Sequence, residues 1–156
     1  MGVKEFDYYI FIDYSEHLIG YIILEKNNVK DCLSKISRFR HYRESKKRKI
    51  YLKKAKKTFN RNELLGCFIK TKVRNVLETP EVFIDIAKFL KDKKGSQIFI
   101  SVDDRQYKNF NKFVEIIDGE NIKVVKESEL KKNTYEYKIN LVLDTWLNIE
   151  RIKDIN

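Results

Sequence analysis

The chain has 156 residues, of which 42% are hydrophobic and 36% charged. That is apolar material enough for one domain-sized core and too much for compositional disorder. The formal net charge is +10, with only 5 Gly and 1 Pro; long flexible linkers are excluded, and no apolar run reaches the length of a bilayer span.

Residues 8–14 (YYIFIDY) are aromatic and β-branched on both alternating faces, which predicts a buried central strand. The apolar run 8–12 is short and stops at Asp13, unlike a signal peptide, so a cytoplasmic location is expected. After the short polar link 14–17 comes LIGYIILE, 18–25, a second strand; so brief a connection favours an antiparallel hairpin. Val29, Leu33, Ile36, Phe39 and Tyr42 recur at helical spacing over 29–42. The basic run 43–57 then reads either as a positively charged helix or as an ordered arm. LLGCFIKT, 64–71, predicts a third strand.

Thr79-Pro80-Glu81 has the pattern of a helix start, with Thr79 as cap, Pro80 in the first turn and Glu81 complementing the dipole. Val82, Phe83, Ile86, Phe89 and Leu90 form its apolar stripe to about Lys93, and Gly95 follows. QIFISV, 97–102, is another strand buried on both faces. An amphipathic helix over 107–117, the turn Asp118-Gly119, a short strand over 122–125 and a final helix over 137–152 complete the order. An antiparallel first half followed by alternating β and α predicts an α/β fold: a mixed sheet with parallel later strands and helices on both faces. One domain over 1–156, with a basic insertion at about 29–62, is the expected organisation.

Residues 38–61 hold twelve Lys or Arg against Glu44 alone, a net +11 that leaves the other residues at −1. The twelve are Arg38, Arg40, Arg43, Lys46, Lys47, Arg48, Lys49, Lys53, Lys54, Lys56, Lys57 and Arg61. Such a concentration favours nucleic acid as partner through counterion release; a solvated lysine-rich surface is the plainer alternative. Cys32 and Cys67 fit no zinc or redox spacing and read as reduced structural cysteines. No Walker loop, dinucleotide glycine motif or nucleophile elbow is present.

The informative acids are Asp13 at the end of the first strand, Asp103 and Asp104 at the end of the fourth, and Asp144 inside the last helix. Ligands of open α/β sheets bind beyond the carboxyl ends of the strands, so Asp13 and Asp103 are expected side by side, with Asp144 completing the group. Clustered carboxylates suit Mg²⁺ or Mn²⁺, which also take phosphate oxygens. Each acid has a structural alternative: Asp13 as a strand end, Asp103-Asp104-Arg105 as turn and cap, and Asp144 on an exposed polar face with Asn140 and Asn148. His17, four residues after Asp13, is either a metal ligand or proton shuttle or an ordinary turn residue. His41 carries no assigned chemistry.

Element order and acid positions together resemble the RNase H-like fold. More narrowly, Phe11-Ile12-Asp13-Tyr14-Ser15 resembles the F-I-D-E-S-G opening of an uncharacterised RNase H-like family. Val102-Asp103-Asp104-Arg105 and Leu141-Val142-Leu143-Asp144 resemble its later acidic motifs. The resemblance implies a metal-dependent nuclease, with Asp13, Asp103 (or Asp104) and Asp144 at the cations. It departs at Tyr14, where the opening has a second acid, and at Phe68, where an acid would precede Lys70. Glu81 and Asp85 are the available counterparts of a helix glutamate. An inactive nucleic-acid-binding module, or a subunit of a nucleoprotein assembly, is the competing expectation.

Overall fold

A computed structural model describes residues 6–36, 47–61 and 64–155. Five strands, β1 (Tyr8–Ser15), β2 (Leu18–Glu25), β3 (Lys70–Asn75), β4 (Ile98–Val102) and β5 (Ile122–Lys126), form one sheet in the order β3-β2-β1-β4-β5. β1 pairs antiparallel with β2, and β2 with β3; β1–β4 and β4–β5 are parallel. The helices are α1 (Val29–Lys35), α2 (Arg48–Arg61), α3 (Thr79–Asp92), α4 (Tyr107–Asp118) and α5 (Tyr135–Ile155).

The period-two alternation of β1 and β2 sorts their side chains into two cores. Tyr9, Phe11, Ile22 and Leu24 point to the face covered by α1 and α5. Ile10, Ile12, Tyr21 and Ile23 point to the face covered by α3 and α4. This double burial explains why β1 and β2 read as near-continuous apolar runs. At Gly20, paired with Asp13 across the β1–β2 ladder, an added Cβ would lie 2.7 Å from Leu147 Cδ2 and 3.3 Å from Leu143 Cδ1. The missing side chain lets α5 lie close against the sheet beside Asp13.

α5 is buried almost all round, with Ile139, Val142, Leu143, Thr145 and Leu147 at most 1% exposed, as a helix enclosed on two sides must be. The sheet encloses one side and α2 the other. Leu52 and Ala55 of α2 are buried against Ile149, with Tyr51, Phe59 and Ile152 around them. An isolated 14-residue helix is marginal in water, and repeated lysines at i,i+4 repel. Burying Leu52, a contribution of roughly 1.5–3 kcal/mol, and the 2.6 Å bond between Tyr51 Oη and Thr145 Oγ1 hold α2 in place.

The basic run is therefore helical from Arg48; Arg38, Arg40, Arg43 and Lys46 lie outside the described residues, as do Phe39 and Tyr42 of the expected first helix. Two other expectations are corrected. Residues 64–71 are not one strand: Leu64–Cys67 is a 3₁₀ turn, and β3 starts at Lys70. Leu64, Cys67 and Phe68 all enter the α1/α5 core, a helical rather than alternating arrangement, and pairing begins only with the 2.8 Å bond from Ile69 N–H to the Ile23 carbonyl. Thr79 is not a cap; it is the first residue of α3, and its hydroxyl donates to the Val76 carbonyl at 2.6 Å. Gly95, with φ 94°, makes the turn after α3.

Both cysteines are buried and free. Burial pushes the Cys32 thiol up to about 12 and raises that of Cys67, which disfavours the reactive thiolate. Among the described residues no helix is long and apolar enough to cross a membrane.

Candidate functional site

Three parallel strands deliver acids to one end of the sheet in the same phase. Asp13 follows Tyr9 and Phe11 at i+4 and i+2 on β1 and so faces α5. Phe11 pairs with Ser101 in the parallel β1–β4 register; two residues further along stand Asp13 and Asp103. Val102 pairs with Lys126 in the β4–β5 register, and the next residues are Asp103 and Glu127. One carboxylate oxygen from each of Asp13, Asp103 and Glu127 lies within 4.8 Å of the others.

Asp144 enters the same cleft from α5, lining it with the three strand-end acids. Among the described residues it is not part of the 4.8 Å set, but its charge reaches Asp13. The exposed-polar-face alternative for Asp144 is corrected: Asn140, Asp144 and Asn148 are only 5%, 9% and 6% exposed. The long polar row that suggested an outer face instead lines a cleft of about 1050 Å³, together with the strand ends and Arg48 at the start of α2.

The electrostatics follow from burial and crowding. Asp13 is 4% exposed; desolvation holds its carboxyl well above the usual range, and the Glu127 and Asp144 carboxylates push it further. Tyr14 N–H donates to Asp13 Oδ1 at 2.8 Å, a compensating pull downward that is smaller. Glu127 is also raised, first by burial, against a lowering bond from Asn140 Nδ2 at 2.9 Å. The other amide atom, Asn140 Oδ1, is buried and has no hydrogen-bond partner among the described residues.

Asp103 and Asp104, just beyond the end of β4, part company. Asp103 joins the cluster and accepts from Arg105 N–H at 2.9 Å and Arg105 Nε at 3.3 Å. Asp104 accepts from Ser128 N–H at 3.1 Å, which ties the ends of β4 and β5 together and holds its carboxyl below the usual range.

Glu127 is the member that sequence reasoning missed. It follows the last residue of β5 and precedes Ser128-Glu129, a stretch that reads as polar loop. The available signal was phase: Val125 and Glu127 are two apart, as Phe11 and Asp13 are. The helix acids Glu81 and Asp85 sit on α3, across the sheet. Asp85 there bonds Lys72 Nζ at 2.5 Å and accepts from Tyr21 Oη at 3.3 Å. Lys70 acts electrostatically on Asp85 and does not line the cleft. His17 lies in the β1–β2 turn, where its carbonyl accepts from Val76 N–H at 2.7 Å, and is likewise not a lining residue.

Of the twelve Lys and Arg of residues 38–61, Arg48 lines the cleft. Lys47 precedes α2, and Lys49, Lys53, Lys54, Lys56 and Lys57 are exposed along it. Arg61 is its last residue.

No family model matches the sequence, and no curated protein sequence does. Solved structures do match. The ribonuclease H2 of Pyrococcus horikoshii OT3 superposes with a TM-score of 0.54 at 16% identity, over 95% of this chain and 74% of that one. Ribonuclease HII of Archaeoglobus fulgidus, solved in a complex with PCNA, gives 0.50 at 13% identity, over 97% and 75%. The likeness is one of fold: the chain has the RNase H-like fold, a mixed five-stranded sheet with helices.

Proposed function

We propose that this chain, read as one RNase H-like domain with a basic insertion at about 29–62, is a divalent-metal-dependent nuclease that hydrolyses phosphodiester bonds of RNA or DNA. The observation that carries the proposal is the convergence of Asp13, Asp103 and Glu127 within 4.8 Å, with Asp144 lining the same cleft.

The residues fit a hard cation. Several carboxylates crowded in a desolvated site repel one another, and a divalent ion with oxygen preference relieves that repulsion. The unpartnered Asn140 Oδ1 supplies one more oxygen in the same cleft. Asp13, Asp103, Glu127 and Asp144 would hold Mg²⁺ or Mn²⁺. When bound, such ions activate water and stabilise the leaving oxygen of a phosphodiester.

The rest falls to the chain's own groups. Tyr14 N–H and Asn140 Nδ2 orient the Asp13 and Glu127 carboxylates. The Ser128–Asp104 bond keeps β4 and β5 together at the ends that carry Asp103 and Glu127. Arg48 and the lysines of α2, together with Arg38, Arg40, Arg43, Lys46 and Arg61 of the basic segment, would contact the phosphates of the bound strand.

The test is cleavage of RNA, DNA and hybrid oligonucleotides with Mg²⁺ or Mn²⁺. Asp13→Asn is expected to lower the rate by at least about 10²-fold while nucleic-acid binding persists. Binding without metal-dependent cleavage in the wild type would leave an inactive binding module, the reading that Tyr14 favours by standing where the resembled motif has an acid.

A further inference from the structure

The cleft that gathers the acids also holds three arginines, Arg48, Arg105 and Arg151. They are not equivalent. Arg105 is 80% exposed and bonded to Asp103. Arg48 reaches the cleft from α2. Arg151, on α5, is only 13% exposed, and its orientation is built in. Its Nη2 donates to Asn148 Oδ1 at 3.1 Å. Asn148 Nδ2 in turn donates to the Asp144 carbonyl at 2.8 Å, and Ser15 Oγ donates to Asn148 Oδ1 at 3.3 Å. A polar chain thus ties the guanidinium to the helix turn that carries Asp144 and to the end of β1.

Asn148 stands one turn beyond Asp144, about 6 Å of axial rise. Long side chains on helices lean toward the N-terminus, which brings the Arg151 guanidinium back over Asn148 toward the acids. Its Nη1 also lies 3.7 Å from Glu16 Oε1, a long contact to a carboxylate that is itself 69% exposed and screened by solvent. Once cations offset the carboxylates, a phosphate entering the cleft meets a planar guanidinium whose fork matches two of its oxygens.

We propose that Arg151 is a phosphate-binding residue, gripping a backbone phosphate of the substrate strand beside the acid centre, with Arg48 completing the grip from α2. The assignment rests on the polynucleotide-substrate reading and extends it to a specific clamp.

The experiment measures binding of short fluorescent RNA and DNA oligonucleotides by anisotropy, with Ca²⁺ in place of Mg²⁺, and cleavage with Mg²⁺. Arg151→Met is expected to weaken binding about tenfold or more, with Arg151→Lys between it and wild type. Glu16→Gln separates clamp from staple, because it breaks the contact to the β1–β2 turn yet keeps the arginine; it should leave affinity within about twofold. Equal losses in Arg151→Met and Glu16→Gln, or unchanged affinity in a folded Arg151→Met protein, overturn the clamp. If Arg151→Met does not fold, unchanged affinity in Arg151→Lys and Arg48→Met overturns it instead. A wild type that never cleaves but binds through Arg151 removes the nuclease reading and keeps the clamp. Cleavage with affinity indifferent to Arg151 does the reverse, and a wild type that binds no oligonucleotide removes both.

Discussion

Asp13, on β1, and Asp85, on α3, lie on opposite faces of the same sheet and live under opposite electrostatics. Asp85 has Lys72 and the Tyr21 hydroxyl, and the Lys72 bond, with smaller help from Lys70, holds its carboxyl below the usual range. Asp13 is buried among other carboxylates, and its carboxyl is held above that range by desolvation, Glu127 and Asp144. The first arrangement is complete as it stands. In the second, crowding and burial work against the charged carboxylate, which is the electrostatic setting that the proposed metal site calls for.

Metal should break the symmetry most visibly. Saturating Mg²⁺ or Mn²⁺, at about 100 times Kd, should raise the melting temperature of the wild type by about 5–10 °C, as read by thermal denaturation. Asp13→Asn should abolish that rise while making the metal-free protein more stable, because it removes one of the crowded charges. Asp85→Asn should leave the rise intact.

Gly20→Ala comes next. Its Cβ collides with Leu147 on the Asp13 side of the sheet, so unfolding free energy should fall by about 1–3 kcal/mol. Metal affinity should fall with it, as α5 is displaced from β1. Asp85→Asn, on the other face, should cost about 1 kcal/mol in urea denaturation, with metal affinity unchanged.

The smallest effect separates the two acids by pH. A raised carboxyl costs stability above its unfolded value of about 3.9, and the cost saturates above the folded value. Lowering pH through that raised value should therefore narrow the stability gap between metal-free wild type and Asp13→Asn. A lowered carboxyl behaves oppositely: the contribution of Asp85 is present above about 3.9 and is lost only as pH falls further, through its folded value. Stability differences of Asp85→Asn should accordingly stay flat down to about pH 4.

The fold was legible where burial leaves a periodic trace. β2 lies where the apolar run of 18–25 put it, and α3 follows the stripe Val82, Ile86, Leu90. Legibility failed at residues 64–68, where an apolar run enters the core through a turn; composition reports burial there but not backbone shape. At the site, Asp13 and Asp103 were readable as strand-end acids. Glu127 was not, because a glutamate one residue beyond a five-residue strand looks like any loop acid until the parallel register sets it beside Asp103.

The order of elements, the two buried faces of β1 and the concentration of charge in residues 38–61 are properties of the sequence alone, since periodicity and composition are local. Which acids meet, which one turns aside to bond Ser128, and that α2 docks on α5 beside them were decided only by tertiary structure. Strand register and helix packing join residues more than a hundred positions apart, and a carboxylate's chemistry depends on what stands within a few ångströms of it rather than on its neighbours in the chain.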